Sequence, residues 1–384
     1  MNTKLRLLAT LILAAGVANI ATSANAAAPA NDAKNTTYVY KNATELPVYG
    51  QLTTDTFEPF SRLPESMKDT VRPAVWRLGR NSAGIYVRFT SDAGDLNFKW
   101  RSTFGNNGDN MTGITQRGMA LYVLEGDTWY YLTSIRPRRA PATDKAATPV
   151  PNSFLFNAKA SKLAGESHEY MLYLSLYDGV LDLEIGVPEG CTLAGSTLNS
   201  PRVEKPVIAY GTSILQGASA SHPGLCGTAQ LSRRLDRLVI NLGFSGNCLL
   251  EEPIAEYMAS YPDPGVYLID NWNGKAEIGE KGLEKCIRIL LAAHPETPVI
   301  VVDRAVKPAA RFDETTAIEF TSKEKVAYDV VRKLRAEGYK KVYHITPEVL
   351  GAENSGSSDG THFTDEAFTR WCDAVWPVIR KCYK

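Results

Sequence analysis

The sequence lacks the features that mark several specialised classes of protein. Lysine plus arginine and aspartate plus glutamate each number 42 in 384 residues, so the formal net charge is zero. A protein that holds nucleic acid through its phosphates carries a basic excess, and none is present. Six cysteines are too few for a disulfide scaffold, and no run reaches the roughly 18 apolar residues of a membrane-spanning helix. We therefore expect no nucleic-acid partner and no transmembrane segment.

What is present is the composition of an average globular protein. Hydrophobic residues make up 44% and charged residues 22% of the chain. A chain of this length can bury its core by ordinary apolar packing, and the length favours two domains over one.

The first 26 residues predict an export signal. Lys4 and Arg6 precede an apolar run over residues 7–18, and residues 24–26 read Ala-Asn-Ala, the small-x-small pattern of a signal-peptidase site. The alternative is a buried N-terminal helix. With residues 1–26 as a signal peptide, the mature protein is periplasmic or extracellular, where disulfides can form.

The six cysteines do not reveal a pairing. They are Cys191, Cys226, Cys248, Cys286, Cys372 and Cys382. If Cys372 and Cys382 share the last helix, they lie about 15 Å apart along it and cannot pair. Connectivity among the others is not readable from sequence.

Alternation with period 2 dominates residues 38–187 and predicts a β-sandwich of the jelly-roll kind, with no convincing amphipathic helix. Glu125-Gly126-Asp127-Thr128 is a hairpin turn signal, and Asp178-Gly179 is another turn. The segment 136–152 favours a solvated loop over a functional basic patch. The predicted strands are 85–90, 96–100, 121–124, 129–132, 169–177 and 181–185.

From about residue 206, buried strands alternate with helices. The strands are 207–210, 238–242, 266–270, 299–303 and 342–345, and the helices are 227–236, 251–260, 280–293, 323–337 and 364–381. This order predicts an α/β fold, a doubly wound parallel sheet with helices on both faces. Residues 188–205 carry neither period and are the predicted linker between a domain at 38–187 and one at 206–384.

The residues just after each parallel strand are the candidate functional residues, because strand carboxyl ends open into the ligand crevice of such a sheet. Ser213 follows the first strand at a strand-to-helix turn, which suits an exposed nucleophile, although a helix N-cap is the alternative. Gly246 follows the second strand, and Asn271 and Asn273 follow the third. The backbone N–H groups and side-chain amides of these residues could face one oxyanion, although glycine and asparagine are also common turn residues.

A serine nucleophile needs a base, and the chain has five histidines. Asp359 precedes His362 by three residues in a tight turn. That spacing lets the carboxylate receive one ring N–H while the other ring nitrogen faces the serine. The remaining histidines, of which only His222 lies near the nucleophile loop, are His168, His222, His294 and His344.

In this order the residues resemble the four sequence blocks of the SGNH (GDSL-type) hydrolases. The blocks are Gly211-Thr212-Ser213-Ile214, Gly246, Asn273, and Asp359 with His362. Residues 72–76 and 82–85 resemble the N-terminal β-sandwich of the "GxDLY" branch, whose members are esterases or lipases. Comparable two-domain layouts occur among carbohydrate acetylesterases. The resemblance covers nearly all of the chain from about residue 40.

The resemblance implies a mechanism without metal or cofactor. Ser213 attacks an ester carbonyl, His362 takes the serine proton and returns it to the leaving alcohol, and Asp359 orients the imidazole. The N–H groups of Ser213 and Gly246 hold the oxyanion together with the side chain of Asn273, which we prefer to Asn271 because it lies further past the strand.

Two positions depart from the family pattern. Thr212 stands where the family's Gly-Asp-Ser block has an aspartate. That aspartate is not the nucleophile. The segment that corresponds to "GxDLY" reads Gly118-Met119-Ala120-Leu121-Tyr122, so Ala120 takes the place of the acid.

The small, polar loop 216–224 lacks the aliphatic stripe of a long acyl groove, although residues 304–322 could build one. Asn271 and Trp272 are predicted substrate contacts, because an amide and an aromatic ring suit a sugar. We therefore predict an exported serine esterase that hydrolyses short-chain, in particular acetyl, esters on a small-molecule or glycan substrate. The alternatives are a lipase or thioesterase of the same family and a non-catalytic carbohydrate-binding surface protein.

Overall fold

The computed structural model describes residues 36–106, 108–137, 150–157, 162–305, 307–350 and 356–384. The predicted signal peptide and most of the predicted loop 136–152 lie outside the described residues. Across the described ranges, no helix is both long and apolar enough to cross a membrane.

Antiparallel strands form the first half of the described chain. They are β1 (Tyr38–Asn42), β2 (Val48–Tyr49), β3 (Tyr86–Ser91), β4 (Asp95–Ser102), β5 (Met119–Glu125), β6 (Thr128–Ile135), β7 (Val150–Asn157), β8 (His168–Tyr173), β9 (Val180–Pro188) and β10 (Leu193–Gly195). One sheet has the order β1-β9-β4-β7, and the other has the order β10-β3-β8-β5-β6 with β2 paired to β3. Alternate residues of both sheets, Phe89 and Phe98 among them, bury one core. The prediction of a β-rich sandwich is confirmed.

The sandwich differs from the prediction in two details. Strand β8 ends at Tyr173 and not at residue 177, because a buried turn follows in which the Ser175 hydroxyl donates to the Asp178 carbonyl at 2.8 Å. Two short helices also occur here, α1 (Pro73–Gly79) and α2 (Gly113–Arg117). Both helices are too short for a helical period to show in the sequence pattern.

Five parallel strands form a third sheet, in the order β12-β11-β13-β14-β15. They are β11 (Arg202–Gly211), β12 (Arg237–Gly243), β13 (Val266–Asp270), β14 (Val299–Val302) and β15 (Val342–Ile345). The helices are α3 (Ser213–Gln216), α4 (Gly227–Leu235), α5 (Glu252–Ala259), α6 (Ala276–Ala293), α7 (Glu314–Ala336), α8 (Pro347–Leu350) and α9 (Asp365–Cys382). Helix α4 packs on α9, and α6 packs on both α5 and α7. The predicted doubly wound α/β sheet is confirmed.

Helix α7 begins at Glu314, well before the predicted start at residue 323. The carboxylate of Asp313 caps it by accepting the N–H of Thr316 at 2.9 Å.

The carboxyl ends of three strands meet where the sheet changes its direction of winding. Strand β11 lies between β12 and β13, and Gly211 is in register with Gly243 on one side and Asp270 on the other. A Cβ at Gly243 would come within 2.3 Å of the Gln216 backbone, so only glycine lets α3 pack this closely. Such a switch point is where open α/β sheets bind ligands.

Buried contacts join the sandwich to the parallel sheet. Arg62 is 1% exposed and donates from Nη1 to the carbonyls of Asn241 and Gly243 in β12, at 3.0 and 2.8 Å. Tyr122, the last residue of the segment that resembles "GxDLY", lies with its ring 4.5 Å from the Arg233 guanidinium. The segment 188–205 contains β10 and the start of β11, and its role as a linker stays a prediction.

All six cysteines are free thiols, and four of them are buried. Cys372 and Cys382 both lie in α9, as expected, and do not pair.

Candidate active site

Ser213 occupies the turn from β11 into α3. Thr212 is extended, and its hydroxyl accepts the N–H of Ile214, so Thr212 and not Ser213 is the N-cap of the helix. Ser213 is therefore the first helical residue, and its side chain is 8% exposed at the strand's carboxyl end. The hydroxyl of Ser213 is left for another partner.

That partner is His362. Its Nε2 lies 2.9 Å from the Ser213 Oγ, and its Nδ1 lies 2.7 Å from Oδ2 of Asp359. The other carboxylate oxygen of Asp359 accepts the N–H groups of Thr361 and His362, at 2.9 and 2.8 Å. These two bonds fold the turn back on itself, which explains why a spacing of three residues brings the carboxylate to the ring.

The Asp359 carboxyl is held in its charged form. Burial pushes its pKa upward, but hydrogen bonds from the His362 ring and N–H, the Asn110 amide and the Thr361 N–H outweigh burial and hold the pKa of Asp359 well below its usual range. A carboxylate that stays charged fixes the ring with Nδ1 protonated, and leaves Nε2 to accept a proton from the serine.

Gly246 lies in a tight turn after β12, closed by the Asn247 N–H donating to the Phe244 carbonyl at 2.9 Å. Its φ is +67°, a conformation that glycine adopts freely, and a Cβ there would meet no atom within 4 Å. Within the described ranges, neither the Gly246 N–H nor the Ser213 N–H donates to another residue. Both donors can therefore serve a developing oxyanion.

Asn273 is fixed differently from Asn271. The Oδ1 of Asn273 accepts the Cys248 N–H at 2.9 Å, and its own N–H donates to the Cys248 carbonyl at 2.7 Å. The pair of bonds leaves the Asn273 amide nitrogen available as a donor. Asn271 is 3% exposed at a φ of +58°, and its Oδ1 accepts the N–H of the next residue.

The structure places Trp272, a predicted substrate contact, in the interior. Its side chain is 1% exposed, and its Nε1 donates to the Lys275 carbonyl. Helix α6 carries a glycine at 279, where a Cβ would meet the indole at 2.3 Å, so the ring fills the space that this glycine leaves. Asn271 is buried beside it and offers a substrate little surface.

Of the five histidines, His362 is the hydrogen-bond partner of the Ser213 hydroxyl, and the other four have other partners or lie elsewhere. His168 lies in β8, His222 stacks on Tyr131, His294 lies 3.0 Å from the Ala259 carbonyl, and His344 pairs with Asp303 at 2.7 Å. In the described part of the chain, no group of three or more histidine, cysteine, aspartate or glutamate side chains is placed to hold a metal ion.

A cavity of about 500 Å³ lies beside the Gly246 turn, with walls from both the sandwich and the parallel sheet. Tyr177 is one of its lining residues, and the hydroxyl of the same side chain donates to the Ser213 carbonyl at 3.2 Å. Its polar lining includes Arg77, Asn106, Gln116, Tyr177, Ser245 and Asn247.

Sequence reasoning missed the lining residues that come from the first half of the chain and also missed Asn110, whose amide reaches Asp359 at 3.1 Å. The residues of the sandwich that meet the site are far from it in sequence, and such contacts leave no local pattern.

Two family models match most of the chain. Residues 204–380 match the GDSL-like lipase/acylhydrolase family, and residues 36–193 match the GxDLY model, the N-terminus of SGNH-hydrolase-type esterases. The chain therefore belongs to the SGNH (GDSL-type) hydrolases with an N-terminal GxDLY-type region. It is an esterase of that family.

Solved structures share this two-part fold. A protein from Bacteroides ovatus ATCC 8483 described as a GDSL-like lipase is 29% identical, with a TM-score of 0.82 over 90% of this chain and 98% of that chain. The salicylyl-acyltransferase SsfX3 from a tetracycline biosynthetic pathway is 14% identical, with a TM-score of 0.67 over 88% and 95%. A family two carbohydrate esterase from Cellvibrio japonicus is 10% identical, with a TM-score of 0.55 over 91% and 100%. The search of curated protein sequences found no match.

Proposed function

We propose that this chain is an exported serine esterase that removes short acyl groups, in particular acetyl, from carbohydrate. The observation that carries the proposal is the hydrogen-bonded series from Asp359 through His362 to Ser213, with heavy-atom distances of 2.7 and 2.9 Å. This is the arrangement that nucleophilic catalysis by serine requires: a nucleophile, a base within reach of it, and a group that orients the base.

In the first half of the reaction, the Ser213 Oγ forms a bond to the ester carbonyl carbon while His362 Nε2 takes the hydroxyl proton. The carbonyl oxygen becomes an oxyanion, which the N–H groups of Ser213 and Gly246 and the amide of Asn273 stabilise. The bond to the alcohol then breaks, and His362 gives its proton to the leaving oxygen.

In the second half, water repeats these steps on the acyl-enzyme. His362 takes a proton from the water as its oxygen attacks the acyl carbon. The oxyanion collapses, the bond to the Ser213 Oγ breaks, and the proton returns to the serine. The products are one carboxylic acid and one alcohol, and the enzyme is regenerated without any other reactant.

The lining of the cavity supports a polar alcohol in the substrate. Its walls carry a guanidinium at Arg77 and amides at Asn106, Gln116 and Asn247, groups that can hydrogen-bond to sugar hydroxyls. A long acyl chain gains only about 0.8 kcal/mol for each buried CH₂ and needs an apolar groove. The carbohydrate esterase fold of the Cellvibrio japonicus protein is consistent with this preference.

One observation favours the lipase as a second candidate. Phe312 is 88% exposed and Ile318 is 56% exposed, and both lie in the segment 304–322 that could build a groove outside the cavity. Exposed apolar side chains of this kind can contact an acyl chain or a lipid surface.

The acyl preference separates the two candidates. We expect kcat/KM to be highest with p-nitrophenyl acetate or butyrate and to fall steadily through octanoate to palmitate. A screen of acetylated sugars against purified protein then identifies the alcohol. A maximum at octanoate or longer would contradict the proposal and favour a lipase.

Export is the remaining part of the proposal, and it rests on the order of charge, apolar run and small residues in residues 1–26. N-terminal sequencing of protein recovered outside the cytoplasm should begin at Ala27. Recovery of the intact chain from the cytoplasm alone would contradict it.

A further inference from the structure

Asn110 brings the N-terminal sandwich into contact with the residues proposed to carry out the reaction. It lies on the segment between β4 and α2, and its Nδ2 donates to Oδ2 of Asp359 at 3.1 Å. The same nitrogen lies 3.5 Å from Nδ1 of His362. The contact joins residues 249 positions apart in the sequence.

The amide completes the set of donors around the carboxylate. One oxygen of Asp359 is satisfied by two N–H groups of its own turn, whereas Oδ2 has the His362 ring as its local donor. Asn110 supplies the second donor to Oδ2. Two donors restrict the carboxylate more than one, so the amide limits rotation about the bond that aims Oδ2 at the ring.

The backbone around Asn110 is held on both sides. The Ser219 hydroxyl, from the loop after the nucleophile helix, donates to the Asn110 carbonyl at 3.1 Å. The Gln116 amide donates to the Met111 carbonyl at 2.9 Å, and the Thr115 hydroxyl donates to the Ala220 carbonyl at 2.6 Å. The Asn110 amide is thus presented from anchored backbone, although its side chain is exposed.

We infer that Asn110 is a positioning residue for the Asp359–His362 pair, and that the sandwich domain takes part in the ester hydrolysis through it. The inference rests on the proposed function, because it assigns a task within the same reaction. Asn110 does not touch the ester. It holds the carboxylate in the orientation that fixes the imidazole, and its N–H dipole opposes positive charge on the ring.

Removing the amide should change kcat and the pH profile together. Without its donor, the carboxylate aims at the ring for a smaller share of the time, so kcat in Asn110→Ala should fall about tenfold while KM stays within about twofold. Because the same nitrogen lies 3.5 Å from Nδ1 of His362, its loss should also displace the acid limb of kcat/KM from its wild-type position. Among the described residues, Lys307 after β14 is a charged group that interacts with Asp359.

Two matched variants separate the amide from its surroundings. Asn110→Leu keeps a side chain of similar size without a donor and should behave like Asn110→Ala. Asn199→Ala removes an exposed asparagine amide that bonds to Glu204 and not to the site, and it should stay within about twofold of wild type. The rate at which a fluorophosphonate labels Ser213 gives a second readout without an ester, and it should fall about tenfold in both Asn110 variants.

Wild-type activity and pH profile in Asn110→Ala, with Ser213→Ala inactive, would overturn this inference and leave the proposed function standing. Full activity in Asn110→Leu would also overturn it, because the role would then be packing. A wild type that neither hydrolyses esters nor reacts with the fluorophosphonate would instead contradict the proposed function.

Discussion

Asn271 and Asn273 lie two positions apart after β13, and they differ in exposure: Asn271 is buried, whereas Asn273 is half-buried with its Oδ1 held by the Cys248 N–H. Losing an oxyanion donor costs about 10²–10³ in kcat with little change in KM, because the interaction forms in the transition state. We expect this loss in Asn273→Ala, whereas Asn271→Ala should keep kcat within a few-fold. Steady-state kinetics on p-nitrophenyl acetate checks the pair, and the reverse order would move the donor two residues upstream.

The pair of Asp359 and His362 predicts a pH profile. The imidazole must be neutral to accept the serine proton, so kcat/KM should rise with pH on the acid side. The pKa of Asp359 lies well below its usual range, so ionisation of Asp359 should add no further inflection to the kcat/KM profile above about pH 4.

Asp359→Asn tests the orienting role directly. It should lower kcat by about 10³–10⁴, because the ring loses the acceptor that fixes its tautomer. A flat profile from about pH 5 to 8, with chemistry rate-limiting, would count against His362 as the base.

At this scale, the sequence predicts a residue well when the geometry that makes it functional is local. Ser213 follows from a strand-to-helix turn, and Asp359 with His362 follows from one turn of three residues. The burial of Trp272 could not be predicted from the strand pattern, because it depends on Gly279 in the next helix. Asn110 could not be found, because its contact with Asp359 spans most of the chain.

At the scale of elements, the end of β13 carries a buried carboxyl group at the edge of the site. Asp270 is 4% exposed and accepts the Trp371 Nε1–H at 3.2 Å. Burial raises the pKa of Asp270 to about 7, against the smaller opposing effects of that bond and of the Arg304 charge. The folded state therefore keeps a proton that the unfolded chain releases near pH 4.

The contribution of Asp270 to the free energy of unfolding should consequently fall as pH rises from about 4 to about 7, and should level off above that. Asp270→Asn cannot ionise and should remove this part of the decline. Urea unfolding at several pH values compares the slopes, with the exposed Asp263→Asn as control. Equal slopes in wild type and Asp270→Asn would contradict the assignment.

The order of strands and helices was predictable because the spacing of hydrophobic residues changes near residue 206, from alternation to buried runs separated by helical stretches. The ends of several elements were not predictable. The end of β8 depends on the Ser175–Asp178 hydrogen bond and the start of α7 on the Asp313 cap. Both are decided by single polar side chains that a pattern of apolar residues does not register.

At the scale of the whole molecule, Arg62 links the sandwich to the parallel sheet. It donates from Nη1 to Asn241 and Gly243 in β12, and from Nε to the Asn81 carbonyl at 2.9 Å. Arg62→Met would leave these buried carbonyls without a donor, so the free energy of unfolding should fall by about 3 kcal/mol or more.

The matched control is Arg101→Met, which breaks an exposed ion pair with Asp182 and should lower the free energy of unfolding far less, because solvent screens such a pair. Denaturant unfolding measures both. If Arg62→Met were no more destabilised than Arg101→Met, the link between the two parts would not depend on this side chain.

The most direct test of the account is the nucleophile. Ser213→Ala should lower kcat on p-nitrophenyl acetate by roughly 10⁶-fold and abolish fluorophosphonate labelling, because no other group in the proposed mechanism forms the acyl-enzyme. The melting temperature should stay close to that of wild type, since serine and alanine differ little in volume. Hydrolysis by Ser213→Ala within about tenfold of wild type would contradict the central claim.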